Sequence, residues 1–135
     1  MSIVLDTNVV VSGLLRAAGP PGKILDLVAG GAVRVALDER IFAEYCDVLS
    51  RPEFGFASAR VLDLTDFLWR AGERIQPTRL DVLLPDPDDA KFLEVAVGAA
   101  ASALVTCNVR HYPPGRRHGV HVVTPREWLA AWLRE

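Results

Sequence analysis

The chain has 135 residues, of which 50% are hydrophobic and 24% charged, and 15 Lys+Arg against 17 Asp+Glu give a formal net charge of -2. These totals suit one soluble domain with a single core and exclude a disordered chain. They also argue against a protein that grips nucleic acid through bulk positive charge, while the longest uncharged apolar run, 95–105, is too short for the roughly 20 residues of a membrane span.

Ile3-Val4-Leu5 is a short apolar run that ends abruptly in Asp6-Thr7-Asn8. Such a run reads as a strand buried on both faces, and the polar triplet then falls at its carboxyl end, where open α/β sheets place ligand sites. Asp6 also has an ordinary reading as the cap of a helix over Val9 to Leu15. The acid this early leaves no apolar segment of leader length, so the cytoplasm is the expected location. Gly19-Pro20-Pro21-Gly22 breaks the chain before a helix over Lys23 to Ala29, which Gly30-Gly31 stops. Val33 to Leu37 is a second strand, again ending in an acid, Asp38.

From Asp38 to Leu49 the apolar residues Ile41, Phe42, Tyr45, Val48 and Leu49 form one helical stripe. Glu44 lies at its margin, the position of an ion-pair partner or a site residue, whereas Glu39, Arg40 and Asp47 fall on the solvated side. Ala57 to Ile75 predicts a helix or a helix pair joined near Thr65-Asp66, and Gln76 to Leu84 a connection with a short strand at Val82-Leu83-Leu84. Pro85-Asp86-Pro87-Asp88-Asp89 opens a helix over Ala90 to Ala101. Capping accounts for Asp86 or Asp88. It does not account for Asp89, which projects from the middle of the stripe Phe92, Leu93, Ala96, Val97 and Ala100 and should meet another charge there.

Ala103 to Thr106 is the next strand, followed by Cys107-Asn108. A basic, aromatic loop, Val109 to Gly119, separates it from a last strand, Val120 to Thr124, and Pro125 opens a terminal helix holding Trp128 and Trp132. The tryptophans are at helical spacing, which favours core packing or a dimer surface over base stacking. Cys46 and Cys107 read as buried small residues without a disulfide framework. Strands alternating with helices and no internal linker predict one α/β domain over 1–135 with a mainly parallel sheet of four to five strands.

In a parallel sheet Asp6, Glu44, Asp89 and Asn108 can surround one pocket. Three carboxylates that close repel one another unless cations lie between them, and all-oxygen ligation suits Mg2+ or Mn2+ far better than zinc. His118 and His121 stand three apart, but a strand position and the lack of a nearby cysteine speak against a zinc site. A receiver-type domain would need an early acidic pair and a late lysine; a dehalogenase-like phosphatase would need a second acid where Asn8 stands.

Asp6-Thr7-Asn8, Glu44 ahead of Leu49-Ser50-Arg51-Pro52-Glu53-Phe54, Asp86-Pro87-Asp88-Asp89 before Phe92-Leu93-Glu94, and Val105-Thr106-Cys107-Asn108 before Arg110-His111-Tyr112-Pro113 together resemble a PIN-domain ribonuclease. Within that family the chain resembles the branch assigned to the toxins of bacterial toxin–antitoxin pairs. The resemblance implies an α/β/α sandwich and Mg2+- or Mn2+-dependent endonucleolytic cleavage of single-stranded RNA, with activated water attacking phosphorus in line with the departing oxygen. It implies Asp6, Glu44 and Asp89 as metal ligands, Asn108 where many members carry a fourth acid, and Thr7 and Thr106 as hydroxyls orienting water or carboxylates. Asn8, Asp86 and Asp88 support the site, and Arg110, His111, Arg116 and Arg117 are candidates for RNA phosphate. A small antitoxin and a second copy of the chain are the implied partners. Asn108 contributes no negative charge, and Ala90 stands where some relatives carry another acid. The alternative to a full nuclease is therefore an attenuated PIN-like module that binds antitoxin or RNA.

Overall fold

Ile3, Val4 and Leu5 have no solvent exposure at all, as a central strand requires, and the rest of the sheet assembles around them. The computed structural model describes Met1–Glu135. Its strands are β1 (Ser2–Leu5), β2 (Arg34–Leu37), β3 (Glu73–Arg74), β4 (Ala103–Val105) and β5 (Val122–Val123). They form one parallel sheet in the order β3-β2-β1-β4-β5, with Ile3 paired to both Val35 and Ala103. The helices are α1 (Thr7–Leu15), α2 (Pro20–Ala29), α3 (Glu39–Leu49), α4 (Ser58–Ala71), α5 (Ala90–Gly98) and α6 (Pro125–Leu133).

The connections dictate the layers. From β1 the chain steps outward to β2 and β3, then returns past β1 to β4 and β5. Right-handed crossovers place α5, which packs on β1, β2 and β4, on the face opposite the helices of the outward steps. On that other face α2 packs against α1 and α6, completing an α/β/α sandwich. The direction of winding reverses between β1 and β4, so the crevice at their carboxyl ends is where this architecture gathers functional groups.

Several local expectations give way to tertiary packing. Residues 58–71 are one uninterrupted helix: the Thr65 hydroxyl donates back to the Val61 carbonyl at 2.9 Å and marks no join. The short strand lies at Glu73–Arg74, pairing with β2, and not at Val82–Leu84. Helix α5 ends at Gly98, and its buried face is Phe92, Leu93, Val95 and Ala96 together with Glu94, while Val97 is 41% exposed. Arg40, expected on a solvated face, bridges Asp38 and the buried Glu94, with Nη1 2.7 Å from Glu94 Oε1. Cys107 is exposed and Cys46 half-buried, so neither is the core residue expected. Trp128 is buried and stacks on Trp132 with ring centroids 5.4 Å apart.

Candidate active site

Asp6 occupies the position that would cap α1, yet its side chain makes no capping bond. The carboxylate turns across the sheet instead, where Oδ2 accepts from the Thr106 hydroxyl at 2.9 Å and from the Tyr112 hydroxyl at 3.0 Å. The backbone fixes this arrangement: Asp6 N–H donates to the Val105 carbonyl, prolonging the β1–β4 ladder by one rung. Asp6 is 6% exposed, and burial pushes its carboxyl above the ordinary aspartate value. The nearby Glu44 charge adds to that shift, while the bonds from Thr106, Tyr112 and the Thr7 backbone oppose it.

Asp89 ends the single turn Pro87–Asp89 that leads into α5. Asp86 does the capping there, Oδ1 accepting from Asp88 N–H at 3.0 Å, and Asp88 itself is exposed. That division leaves Asp89 free to point inward, where it is 8% exposed and makes no cap bond. His111 Nδ1 lies 2.9 Å from Asp89 Oδ2 and donates to it. Burial first, and the charge of Asp6 second, raise the Asp89 carboxyl to about 6, with His111 pulling the other way.

Glu44 projects half-buried from the margin of α3. It accepts a short hydrogen bond from the Thr7 hydroxyl at the start of α1, and Lys91 Nζ lies 2.8 Å from Oε1. Thr106, fully buried, ties the pieces together: besides donating to Asp6 it accepts from Asn108 N–H at 3.0 Å and from Asn8 Nδ2 at 3.5 Å. Asn8 Oδ1 in turn accepts from Cys107 N–H at 3.0 Å, pinning α1 to the turn after β4.

Asp6 thus lies close enough to interact electrostatically with Glu44 and with Asp89. No three of the acidic and imidazole side chains converge closely enough to hold a metal ion between them, and each of the three carboxylates is held by its own partners. Asn108 stands beside them through its backbone bond to Thr106. The basic loop is less free than its sequence suggests. Arg116 Nη1 donates to the Leu83 carbonyl and Arg117 Nε to the Tyr112 carbonyl, His111 serves Asp89, and Arg110 alone of the four is exposed without a bond. Sequence reasoning singled out neither Tyr112 nor Lys91. The available signals were an aromatic residue between His111 and Pro113 in a short interstrand loop, and a lysine one turn from Asp88 on the flank of α5.

Oxygen donors dominate the crevice, and two of its carboxyls are buried, mutually repulsive and raised in pKa. That donor chemistry fits a hard divalent cation of the Mg2+ or Mn2+ type.

Residues 2–110 match the family model of the PIN domain. Among solved structures, the chain is similar in fold to VapBC2 from Rickettsia felis bound to a DNA fragment from their promoter. The TM-score is 0.63 at 16% identity, over 92% of this chain and 98% of that one. No curated protein matches the sequence significantly.

Proposed function

The chain belongs to the PIN-domain family, and from that membership we propose that it is a metal-dependent endoribonuclease acting on single-stranded RNA. The observation that carries this reading is the pair of buried carboxylates, Asp6 and Asp89, each raising the other's proton affinity or that of a neighbour at the sheet's reversal point. Burying like charges together is costly unless a cation relieves them. Asp6, Glu44 and Asp89 would hold Mg2+ or Mn2+, with Asn108 as a neutral fourth oxygen donor. When bound, such an ion supplies an activated water at neutral pH and offsets the charge that builds on a phosphodiester under in-line attack.

The chain's own residues do the positioning. Thr106 and Tyr112 fix the orientation of Asp6, and His111 fixes that of Asp89. Thr7 steadies Glu44 from the first turn of α1. Arg110, with the unbonded guanidinium nitrogens of Arg116 and Arg117, would meet RNA phosphates at the rim. The biological setting we propose is the toxin of a toxin–antitoxin pair, in the cytoplasm, with a small antitoxin partner and a homodimeric assembly. The similarity to VapBC2, an assembly bound to DNA from its own promoter, supports a partnered protein. No helix is long and apolar enough to cross a membrane.

Labelled single-stranded RNA incubated with the purified chain and Mn2+ or Mg2+ tests the activity. Cleavage should be abolished by a chelator and reduced on the order of 100-fold or more in Asp6→Asn and Asp89→Asn. Equal inertness of the wild type and both variants, with an antitoxin still bound, would favour the attenuated module that the neutral Asn108 suggests.

A further inference from the structure

Lys91 is placed where a lysine gains little from ordinary helix chemistry. It is the second residue of α5, and a cation in a first turn opposes the helix dipole. A solvated lysine at such a position would extend into water, yet the Lys91 side chain is only 13% exposed. Its ammonium turns inward, 2.8 Å from Glu44 Oε1, and donates to the Asp88 carbonyl at 2.5 Å, while lying 5.0 Å from the centre of the Phe92 ring. The Thr7 hydroxyl holds the other oxygen of Glu44. Glu44 is therefore fully engaged by the protein, whereas Asp6 and Asp89 have no full positive charge on a lysine or arginine beside them.

Resting on the metal-site reading above, we infer that Lys91 is a tethered cation standing on the carboxylate that a divalent ion claims, so that metal binding proceeds by exchange with the ammonium. The geometry fits this arrangement, because the ammonium stands on Glu44 Oε1 at 2.8 Å, on the oxygen a dication would take. The ammonium has space to withdraw, since Glu44, Lys91 and Asp88 line an open cleft of about 610 Å³ beside Arg79 and Asp81. Lys91 thereby keeps Glu44 ordered without metal and sets a threshold concentration of the ion for assembling the site.

Mn2+ binding by the full chain, followed by calorimetry and by the electron paramagnetic resonance of free Mn2+, tests this. Lys91→Met keeps the apolar stem over Phe92 and removes the charge; Lys91→Arg keeps the charge; Asp6→Asn weakens the site itself. Lys91→Met should bind one Mn2+ about tenfold more tightly than the wild type, as expected for losing a competing charge at contact distance, with Lys91→Arg close to wild type and Asp6→Asn much weaker. In the wild type, Mn2+ should also speed acylation of Lys91 by acetic anhydride, read by mass spectrometry, as the ammonium leaves its pocket. Thermal melts confirm that each variant is folded. Equal or weaker binding by folded Lys91→Met, or no change in Lys91 acylation, overturns the exchange. Absence of binding by every chain overturns the metal site beneath it.

Discussion

Tyr112 is the residue whose importance is least evident from its neighbours in sequence. It sits in a loop of arginines, histidines and prolines, yet it is wholly buried and its hydroxyl reaches Asp6. Tyr112→Phe keeps the packing and removes one bond to a buried carboxylate, which costs about 1–2 kcal/mol in denaturant unfolding. It should also raise the Asp6 carboxyl further, because a bond that favours the ionised form is gone; carboxyl NMR titration reads that shift. Asp89 makes a different prediction. Its carboxyl titrates near 3.8 in the unfolded chain and at about 6 in the fold, so between those values the folded chain holds a proton that the unfolded chain has lost. Stability of the metal-free protein should therefore fall as pH rises through that window. Asp89→Asn removes this contribution, and the difference in Tm between variant and wild type should grow in the variant's favour from pH 4 to 7. A difference that stays flat contradicts the assignment. Asp6 and Asp89 were legible in the sequence because one ends an apolar strand and the other projects from an apolar stripe, although capping was an ordinary alternative for Asp6. Tyr112 and Lys91 were not, because their partners lie 106 and 47 positions away and no local pattern encodes the meeting.

Among the elements, the passage from α4 into β3 shows what local pattern cannot reveal. Glu73–Arg74 has no strand signature of its own, and it pairs because β2 presents an open edge. Gly72 makes the approach possible: a Cβ there would sit 2.7 Å from the Val35 carbonyl oxygen and 2.8 Å from Leu37 Cδ2. Gly72→Ala should therefore cost about 2–3 kcal/mol through backbone displacement, visible as a lowered Tm. Helix α5 is turned slightly from the stripe its apolar residues predict, so that Glu94 is buried with them. The energetic reason is Arg40, which reaches from α3 to give that carboxylate a partner, with Leu80 N–H donating to the second oxygen at 2.8 Å. The pair fastens the segment 76–86 to the helices beside the site. Arg40→Met leaves Glu94, at 2% exposure, with one backbone donor, and the cost should be about 2 kcal/mol in urea unfolding, below that of a fully buried pair because Arg40 is half in solvent. Faster proteolysis within 76–86 would accompany it.

For the molecule as a whole, the fold class followed from alternation of apolar runs and amphipathic helices, and the parallel order places β1 at the centre as its uniform burial demands. The same topology brings Glu44 and Asp89, from two other elements, within electrostatic reach of Asp6. What the sequence could not carry was how each carboxylate is restrained, by Tyr112 and Thr106, by Lys91 and Thr7, and by His111. The central claim is that these restrained acids are a single cation site. Crystals grown with Mn2+ and measured at the manganese absorption edge address it directly. The account predicts an anomalous peak bounded by the carboxylates of Asp6, Asp89 and Glu44, with Lys91 withdrawn from Glu44. A crevice without a peak, or manganese bound only elsewhere on the chain, would contradict it.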